Sequence, residues 1–339
     1  MLFRAHHPAL LDQNPSENGR AVGGNRRDCR SSIQKDDLQE RRKPMDIDVL
    51  CVGHASYDLI FPVDHHPGAD EKCFSLGLFQ AGGGPAANAA VTVARLGGKA
   101  AFAGYLGMDV FGKLHFEELE AEGVFTGLIV RGDCPTPLSA ILVKPDGKRT
   151  VVNHKAGTPV IAPQQLDFSQ IRPKAILFDG HQLEISIPLA ARAREQKIPT
   201  VLDAGSVHRG TTELAPLCDY VVASEKFARD FSNGKSPMEA VRILAETVPA
   251  AAVTLGDAGL VWAAGCNART IPSFPVEPVD TTGAGDIFHG AFTLRMVKGD
   301  DFPAALLYAS AAAALGCTKM GARPGIPGSE DVEEFLRRF

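Results

Sequence analysis

The sequence predicts an α/β fold in which a central, mostly parallel sheet carries helices on both faces and a second, small β-sheet forms a lid. From about residue 46, short β-branched runs alternate with longer amphipathic runs, as in repeated βαβ units. Most of the strand candidates are continuously apolar, which indicates that both sheet faces are covered. Two segments interrupt this alternation with Pro, Gly and Asp, and these predict the lid.

The elements follow in chain order. The strand candidates span residues 47–52, 175–178, 200–202, 220–222, 251–255 and 260–263. The helix candidates span residues 88–96, 113–122, 187–196, 238–246, 284–298, 303–317 and 330–338. The lid segments cover about 58–81 and 136–155, with a strand predicted over 139–143. One folded domain is therefore expected over residues 46–339.

Residues 1–44 differ in composition from the rest of the chain. Arg, Asp, Gln, Asn, Ser and Gly dominate, and the few apolar residues have no period. Such a segment cannot bury enough surface to offset the entropy of ordering it. We expect a disordered extension, and Met45 directly after it leaves a start codon placed too early as an alternative.

Charge and cysteine usage exclude several classes of protein. A formal net charge of −5 gives no reason to expect nucleic acid or an anionic membrane as a partner. No apolar run approaches the ~20 residues that cross a bilayer. The seven cysteines stand singly, without a C-x-x-C pair, which argues against a disulfide framework and a structural zinc site. We therefore expect a cytoplasmic protein.

The most informative stretch is a glycine-rich turn that runs into a predicted helix at residues 280–292. Its glycines allow close backbone approach to a ligand, and the helix amino terminus adds about half a positive charge. Asp286, in the first helical turn, could orient and deprotonate a hydroxyl during phosphoryl transfer. The alternative is a tight turn in which Asp286 only complements the helix dipole.

This stretch resembles the C-terminal signature of the PfkB/ribokinase family of carbohydrate kinases, D-T-x-G-A-G-D, and fills every position of it. The resemblance implies a ribokinase-like fold. It also implies that Asp286 is the catalytic base and that the amides of Gly283, Ala284 and Gly285 form an anion hole for the transferred phosphoryl group.

A second glycine-rich stretch, at residues 81–88, precedes the first predicted helix. Consecutive glycines permit close approach to a ligand, and Asn88 offers both a donor and an acceptor to hydroxyls. Alone, such a turn is as often structural. It is similar to the N-terminal signature of the same family, which implies that Gly83, Gly84 and Asn88 line a sugar site. Asp58 matches the family's early aspartate, which holds sugar hydroxyls.

The resemblance further implies that ATP and Mg²⁺ are used and that the nucleotide site includes Ser224, Thr254, Gly256, Gly259 and Thr282. The family commonly has N-x-x-E after the preceding strand, but this chain has Ser-Glu-Lys-Phe at 224–227. The position of magnesium therefore stays open, with Glu225 as a candidate ligand. Residues 317–325 resemble a loop that builds a monovalent-cation site in several members, which makes K⁺ a candidate.

Residues 82–87, 280–291 and 321–327 look closer to sulfofructose kinases than to ribokinase itself, which implies a ketohexose or related sugar with an anionic group. Such a pocket needs cationic and amide donors. Lys72 and Asn153 lie in the lid segments where donors are expected, and His181 falls where an arginine is expected. The alternative, in which Lys72 is solvated and His181 is a packing residue, stays open.

Other readings are weaker. The single Gly-Lys-Ser, at 234–236, has Arg229 where a P-loop needs its first glycine. The first strand is not followed by the G-x-G-x-x-G of a dinucleotide-binding fold. A non-catalytic sugar-binding or regulatory protein on the same fold is the alternative from another class. The family also leads us to expect a homodimer formed through the lid.

Overall fold

The computed structural model describes residues 43–155, 157–265 and 267–339. Up to residue 42, the predicted disordered extension lies outside the described residues. The strands are β1 (Met45–Val52), β2 (Ser56–Pro62), β3 (Phe79–Gly83), β4 (Ala100–Gly107), β5 (Phe125–Gly132), β6 (Leu138–Val143), β7 (Arg149–His154), β8 (Ile171–Phe178), β9 (Thr200–Ala204), β10 (Tyr220–Ser224), β11 (Ala250–Thr254), β12 (Leu260–Ala264) and β13 (Asn267–Ile271). The helices are α1 (Pro85–Arg95), α2 (Val110–Ala121), α3 (Leu183–Gln196), α4 (Arg209–Leu214), α5 (Glu225–Phe231), α6 (Pro237–Ala245), α7 (Ala284–Lys298), α8 (Phe302–Gly316), α9 (Ala322–Gly325) and α10 (Ser329–Leu336).

Nine strands form the main sheet in the order β13-β12-β11-β10-β9-β8-β1-β4-β5. The run from β11 to β5 is parallel, whereas β12 and β13 add to one edge in antiparallel fashion. The parallel strands end at one common edge, where open α/β sheets bind their ligands. The elements that follow β1, β8, β9 and β10 therefore meet there.

Both faces of the main sheet are covered, because each carries its own apolar core. One core packs inward-facing residues such as Val49 and Phe102 against α1, α2, α7, α8 and α10. The other packs residues such as Leu50 and Phe178 against α3, α4, α5 and α6. The continuous apolar runs of the sequence are explained by this double burial.

The lid is a separate four-stranded sheet in the order β3-β2-β6-β7. Its strands β2 and β6 are parallel, and its two outer pairs are antiparallel. Register places Ala81, Asp58, Ser139 and Asn153 in one row across the sheet. Residues directly opposite one another share a face, so Asp58 and Asn153 lie on the same side of the lid. The predicted fold class, a main sheet with a small lid sheet, is confirmed.

Several element boundaries and three main-sheet strands differ from the prediction. Helix α2 begins three residues before the predicted position, because the Asp109 side chain caps it by accepting from the Gly112 amide at 2.8 Å. Strands β4, β5 and β13 were absent from the predicted set. Within the part of the chain that the structure describes, no helix is both long and apolar enough to cross a membrane. The cysteines described there, Cys51, Cys73, Cys134, Cys218 and Cys317, are free thiols.

Candidate active site

The space between the carboxyl edge of the main sheet and the lid is called the cleft below. Helix α7 begins beside it with Gly283, which caps the helix at φ 76°, a left-handed conformation that favours glycine. A Cβ at Gly283 would also lie 2.5 Å from the Cβ of Ala322. The lid reaches this turn, since Arg149 of β7 donates a hydrogen bond to the Thr281 hydroxyl at 2.5 Å.

The first turn of α7 offers open amides at the predicted anion hole. The Ala284 amide has only a long contact of 3.3 Å with a carbonyl of the preceding turn. Within the described residues, the amides of Gly285 and Asp286 donate to no protein acceptor. A Cβ at Gly285 would meet nothing within 4 Å. Unused amides and the helix dipole together favour an anion at this point.

The carboxyl group of Asp286 lies among other acids. Asn88 Nδ2 donates to Asp286 Oδ2 at 2.7 Å. The side chain keeps a partial opening to the cleft. Even so, the surrounding protein and the neighbouring Asp203 charge raise the pKa of Asp286 to about 7, although the Asn88 hydrogen bond lowers it. A carboxylate with a pKa near the working pH is suited to general-base chemistry.

Behind Asp286 lies a buried pair of Asp203 and His289. His289 Nδ1 lies 3.4 Å from Asp203 Oδ2. The same ring contacts two carbonyl oxygens, with Nδ1 2.5 Å from Gly285 O and Nε2 3.1 Å from Val222 O. A neutral imidazole has one N–H, so it donates to one of these carbonyls at a time, and Asp203 is a further acceptor beside Nδ1. Burial raises the pKa of Asp203, although His289 lowers it.

Asn88 is held in place by a buried arginine. Its Oδ1 accepts from Arg323 Nε at 2.8 Å, while Arg323 also bonds to Glu118 at 3.2 Å and to His115 Nε2 at 2.9 Å. Burial and the Arg323 charge hold the pKa of His115 well below its usual range, so the ring is a neutral acceptor. Asn88 thus orients Asp286 and keeps one amide hydrogen for a ligand, which adds a positioning role to its predicted sugar contact.

Asp58 is a buried carboxylate on the lid. Ser56 Oγ donates to Asp58 Oδ1 at 2.9 Å, and burial raises the pKa of Asp58. The neighbouring strand leaves room for it only because residue 83 is glycine: a Cβ at Gly83 would lie 2.1 Å from Asp58 Oδ2. Gly84 adopts φ 94° before α1, a conformation that again favours glycine.

His181 belongs to a group of three histidines at the carboxyl edge. Its ring centroid lies 5.2 Å from that of His54, after β1, and 5.0 Å from that of His208, after β9. Asp179 fixes the two nearest loops, because it accepts from the amide of His54 at 2.7 Å and from the amide of His181 at 2.9 Å. The backbone of His54 lies against the glycine-rich turn, since a Cβ at Gly84 would lie 2.6 Å from the carbonyl oxygen of His54.

The predicted nucleotide residues lie at the ends of β10, β11 and the turn before α7. Ser224 caps α5 by accepting from the Phe227 amide at 3.0 Å, and Thr254 Oγ1 donates to the Ala223 carbonyl at 3.3 Å. Gly256 and Gly259 both have positive φ, 61° and 86°. A Cβ at Gly259 would lie 2.2 Å from a carbonyl oxygen of β13.

Thr282 is fixed by a buried aspartate. The Thr282 amide and hydroxyl donate to Asp280 Oδ1 at 2.8 and 2.6 Å. The other oxygen of Asp280 accepts from the Gly321 amide at 2.9 Å. Asp280 therefore joins the anion-hole turn to the C-terminal loop, which includes the segment expected to close the nucleotide site.

The remaining predicted residues lie in exposed positions. Lys72 Nζ lies 5.2 Å from the centroid of the Phe74 ring, within the lid. Asn153 is exposed on β7, in the same row as Asp58. Glu225 is exposed in the first turn of α5. These three stay predictions.

The acids of the cleft suit magnesium that arrives with a nucleotide better than a resident metal. Among the described residues, no group of three or more His, Cys, Asp or Glu side chains could hold a metal ion. Mg²⁺ is usually bound through one or two carboxylates, waters and substrate phosphates. Asp286, Asp203 and Glu225 offer carboxylates of this kind, and the Asp203 charge that raises the pKa of Asp286 is one that a cation would offset.

Sequence reasoning missed several groups in the site: His54, His115, Glu118, Lys155, Asp179, Asp203, His208 and Arg323. Asp179 and Asp203 carried a usable signal, since each stands at the end of an apolar strand run, where parallel sheets bind ligands. Arg323 carried none, because its contacts with Asn88 and Glu118 span more than 200 residues of sequence.

Comparison with known proteins identifies the family. The family model described as pfkB family carbohydrate kinase matches residues 46–328. Ribokinase of Bacillus subtilis is 30% identical over 292 residues, with 85% of this chain and 99% of the relative covered. Fructokinase-1 of Zea mays is 29% identical, with 77% and 90% covered. The structure of Arabidopsis thaliana ribokinase complexed with ribose and ATP is 25% identical and superimposes with a TM-score of 0.74, with 86% of this chain and 99% of that chain covered. The chain therefore belongs to the pfkB family of carbohydrate kinases and is a phosphotransferase of that class.

Proposed function

We propose that the protein transfers the γ-phosphoryl group of ATP to a primary hydroxyl of a ketohexose or a closely related sugar. One observation carries the proposal. Asp286, whose pKa is raised to about 7, stands beside the open amides of α7, and it lies near enough to the buried lid residue Asp58 for their charges to interact. A base, an anion hole and a hydroxyl-binding carboxylate thus share one cleft.

In this mechanism Asp58, the backbone of Gly83 and Gly84, and the free amide hydrogen of Asn88 bind the sugar. Closing the lid over the cleft excludes water and limits ATP hydrolysis. Asp286 accepts the proton of the hydroxyl as its oxygen forms a bond to the γ-phosphorus and the bond to the ADP oxygen breaks. The amides at residues 283–285 stabilise the negative charge on the transferring group.

ATP is the proposed donor because the family relative with ribose bound also holds ATP. Ser224, Thr254, Gly256, Gly259 and Thr282 are the proposed nucleotide residues. Glu225 is the proposed magnesium ligand, and the ion would offset phosphate charge when bound. A requirement for K⁺ stays a prediction from the resemblance of residues 317–325.

The test is ADP release measured with the full chain, Mg-ATP and a panel of fructose, fructose 6-phosphate, sulfofructose, ribose and 2-keto-3-deoxygluconate. We expect sugar-dependent release with at least one ketohexose. Sugar binding without ADP release for any member of the panel would instead favour a non-catalytic binding protein on the same fold.

We also propose that two copies associate through their lids. The lid exposes large apolar side chains, including Phe74, Leu76 and Val152. Its outer strand β7 is exposed along its whole length, and such an edge offers unpaired backbone groups to another chain. A second copy would cover both features.

A further inference from the structure

Three imidazole rings converge at the carboxyl edge of the main sheet, each from a different strand end. His181 lies between the other two, tilted by 58° to His54 and stacked within 11° of parallel on His208. The backbone beside the rings has glycines at positions where a Cβ would come too close to a neighbouring side chain. Gly180 has φ 78°, and a Cβ there would lie 3.1 Å from Cε1 of His208, while a Cβ at Gly53 would overlap the Asp179 carboxylate.

The rings offer hydrogen-bond donors that the protein does not use. His208 Nδ1 accepts from the Gly210 amide at 3.2 Å, so the proton of its neutral ring is on Nε2. In the part of the chain that the structure describes, the hydrogen bonds of His54 and His181 use their backbone amides, and their ring nitrogens have no partner. His181 is exposed, and the other two rings are half-buried. A ligand in the cleft can therefore reach them.

The two carboxylates beside the three histidines, Asp179 and Asp203, already have partners within the protein. Asp179 accepts three backbone N–H bonds, from His54, His181 and Ala86, at 2.7, 2.9 and 3.3 Å. Asp203 faces His289 at 3.4 Å. From the lid, the Lys155 ammonium is close enough to lower the pKa of both His54 and His208. Unused N–H donors and a cation thus lie in the same region.

We infer that His54, His181, His208 and Lys155 form a subsite that binds the anionic group of the sugar substrate, a sulfonate, phosphate or carboxylate. This inference rests on the proposed function and names the substrate class of the same cleft. Each neutral ring supplies one N–H and the ammonium supplies three. A sulfonate or phosphate, with three terminal oxygens, has enough acceptors for all of them, and a carboxylate has enough for most of them.

Binding of an anion at such a subsite is coupled to the uptake of protons by the histidines. Burial, and then the neighbouring His181, lower the pKa of His54 to about 4 and lower that of His208, while Asp179 raises both. His115 and Asp203 are the other titratable groups that interact with the histidines. An anion placed among the rings would raise the pKa values of His54 and His208. Binding therefore takes up protons, and the affinity for an anionic sugar falls as the pH rises.

Calorimetric titration of the full chain without ATP tests the inference. Fructose, fructose 6-phosphate, sulfofructose and 2-keto-3-deoxygluconate are compared at about pH 6.5 and about pH 8, in buffers of different ionisation enthalpy. We expect at least one anionic sugar to bind about tenfold or more tightly than fructose at the lower pH. Its binding should take up protons and weaken at the higher pH by more than fructose binding does, since the ionisation of Asp286 affects both sugars alike.

The variants are His181→Gln, Lys155→Gln and His208→Asn, and the last keeps a side chain able to cap α4. Each should reduce the ratio of anionic-sugar to fructose affinity by about tenfold. The control is His65→Gln, an exposed lid histidine that pairs with Glu71, and its ratio should match the wild type. Equal affinity for fructose and every anionic sugar, or an unchanged ratio in all three variants, would overturn the inference.

Failure of the proposed function gives a different result. If no sugar supports ADP release but an anionic sugar is still preferred and the variants lose that preference, the subsite stands and the kinase proposal falls. If fructose is phosphorylated and no anionic sugar is preferred, the subsite falls and the kinase proposal stands.

Discussion

Asp286 combines two features at the scale of one residue: it is the proposed base, and it lies in the first turn of the helix whose open amides are proposed to bind phosphate. We expect Asp286→Ala to lower kcat by roughly 10²- to 10⁴-fold, the usual effect of removing a general base. The dissociation constant of the sugar should change little, because Asp58 and the glycine-rich turn are the proposed sugar contacts. Turnover measured with saturating sugar and Mg-ATP checks the prediction.

The control for this measurement is Asp64→Ala, which removes an exposed acid from the lid and should keep wild-type turnover. Near-normal turnover of Asp286→Ala would rule out the assignment of the base. A parallel loss in both variants would indicate a general defect in folding.

The raised pKa of Asp286 also predicts how stability depends on pH. In the unfolded chain this carboxyl has its ordinary pKa of 3.8, whereas in the folded protein its pKa is about 7. The native state therefore holds the proton more tightly than the unfolded chain does. As a result, the contribution of Asp286 to the free energy of unfolding falls as the pH rises from about 4 to about 7. Asp286→Asn, which stays neutral, should raise the melting temperature at about pH 8 by more than at about pH 5.

Thermal unfolding of the protein without ligands, at both pH values, measures this difference. An equal change in melting temperature at the two pH values would contradict the raised pKa. Asp203 is present in both proteins, so its own titration cancels to first order in the comparison.

At the scale of elements, strand β3 determines whether Asp58 can lie in the cleft. We expect Gly83→Ala to displace that carboxylate, because the added Cβ would lie 2.1 Å from Oδ2. Catalysis depends on placement within a fraction of an ångström, so kcat/KM for the sugar should fall by about tenfold or more. The matched control is Gly77→Ala in the same lid, where the nearest atom would be 3.9 Å away. Equal kcat/KM for the two variants would show that Asp58 does not need this space.

The same scale shows what the sequence could and could not predict. Most strands and helices with long apolar or amphipathic runs were predicted to within a few residues, and α7 was predicted at its observed bounds. Strand β4 was missed because it is rich in Ala and Gly and lacks β-branched residues, although every residue in it is buried. Strand β5 was missed because it lies at the edge of the sheet, where its mixed burial gives no clear alternation.

In the candidate site, too, residues could be predicted only where a local sequence pattern contains them. Asp286 and the glycine-rich turns are contiguous in the sequence, so a local motif predicted them. The histidine group joins loops after β1, β8 and β9, and only the order of strands in the sheet brings these loops together. A single sequence contains no signal for that proximity.

At the scale of the whole molecule, the two surfaces of the lid have different environments. One faces the cleft with Asp58 and its row, and the other leaves apolar side chains exposed. Large exposed apolar patches mark interaction sites. A second copy of the same chain, paired through both lids, would bury these side chains in a twofold interface, the commonest arrangement of soluble oligomers.

We therefore expect the wild-type protein to have twice the mass of one chain in size-exclusion chromatography with light scattering. Val152→Lys places a charge on the exposed outer strand, where the side chain is 64% exposed, and a charge on an edge opposes pairing with another strand. This variant should shift the protein toward the monomer. Val160→Lys is the control, because Val160 is 68% exposed but lies outside the lid strands, and it should leave the mass unchanged. A wild-type monomer at every concentration tested, or a dimer that survives Val152→Lys and dissociates with Val160→Lys, would place the interface elsewhere.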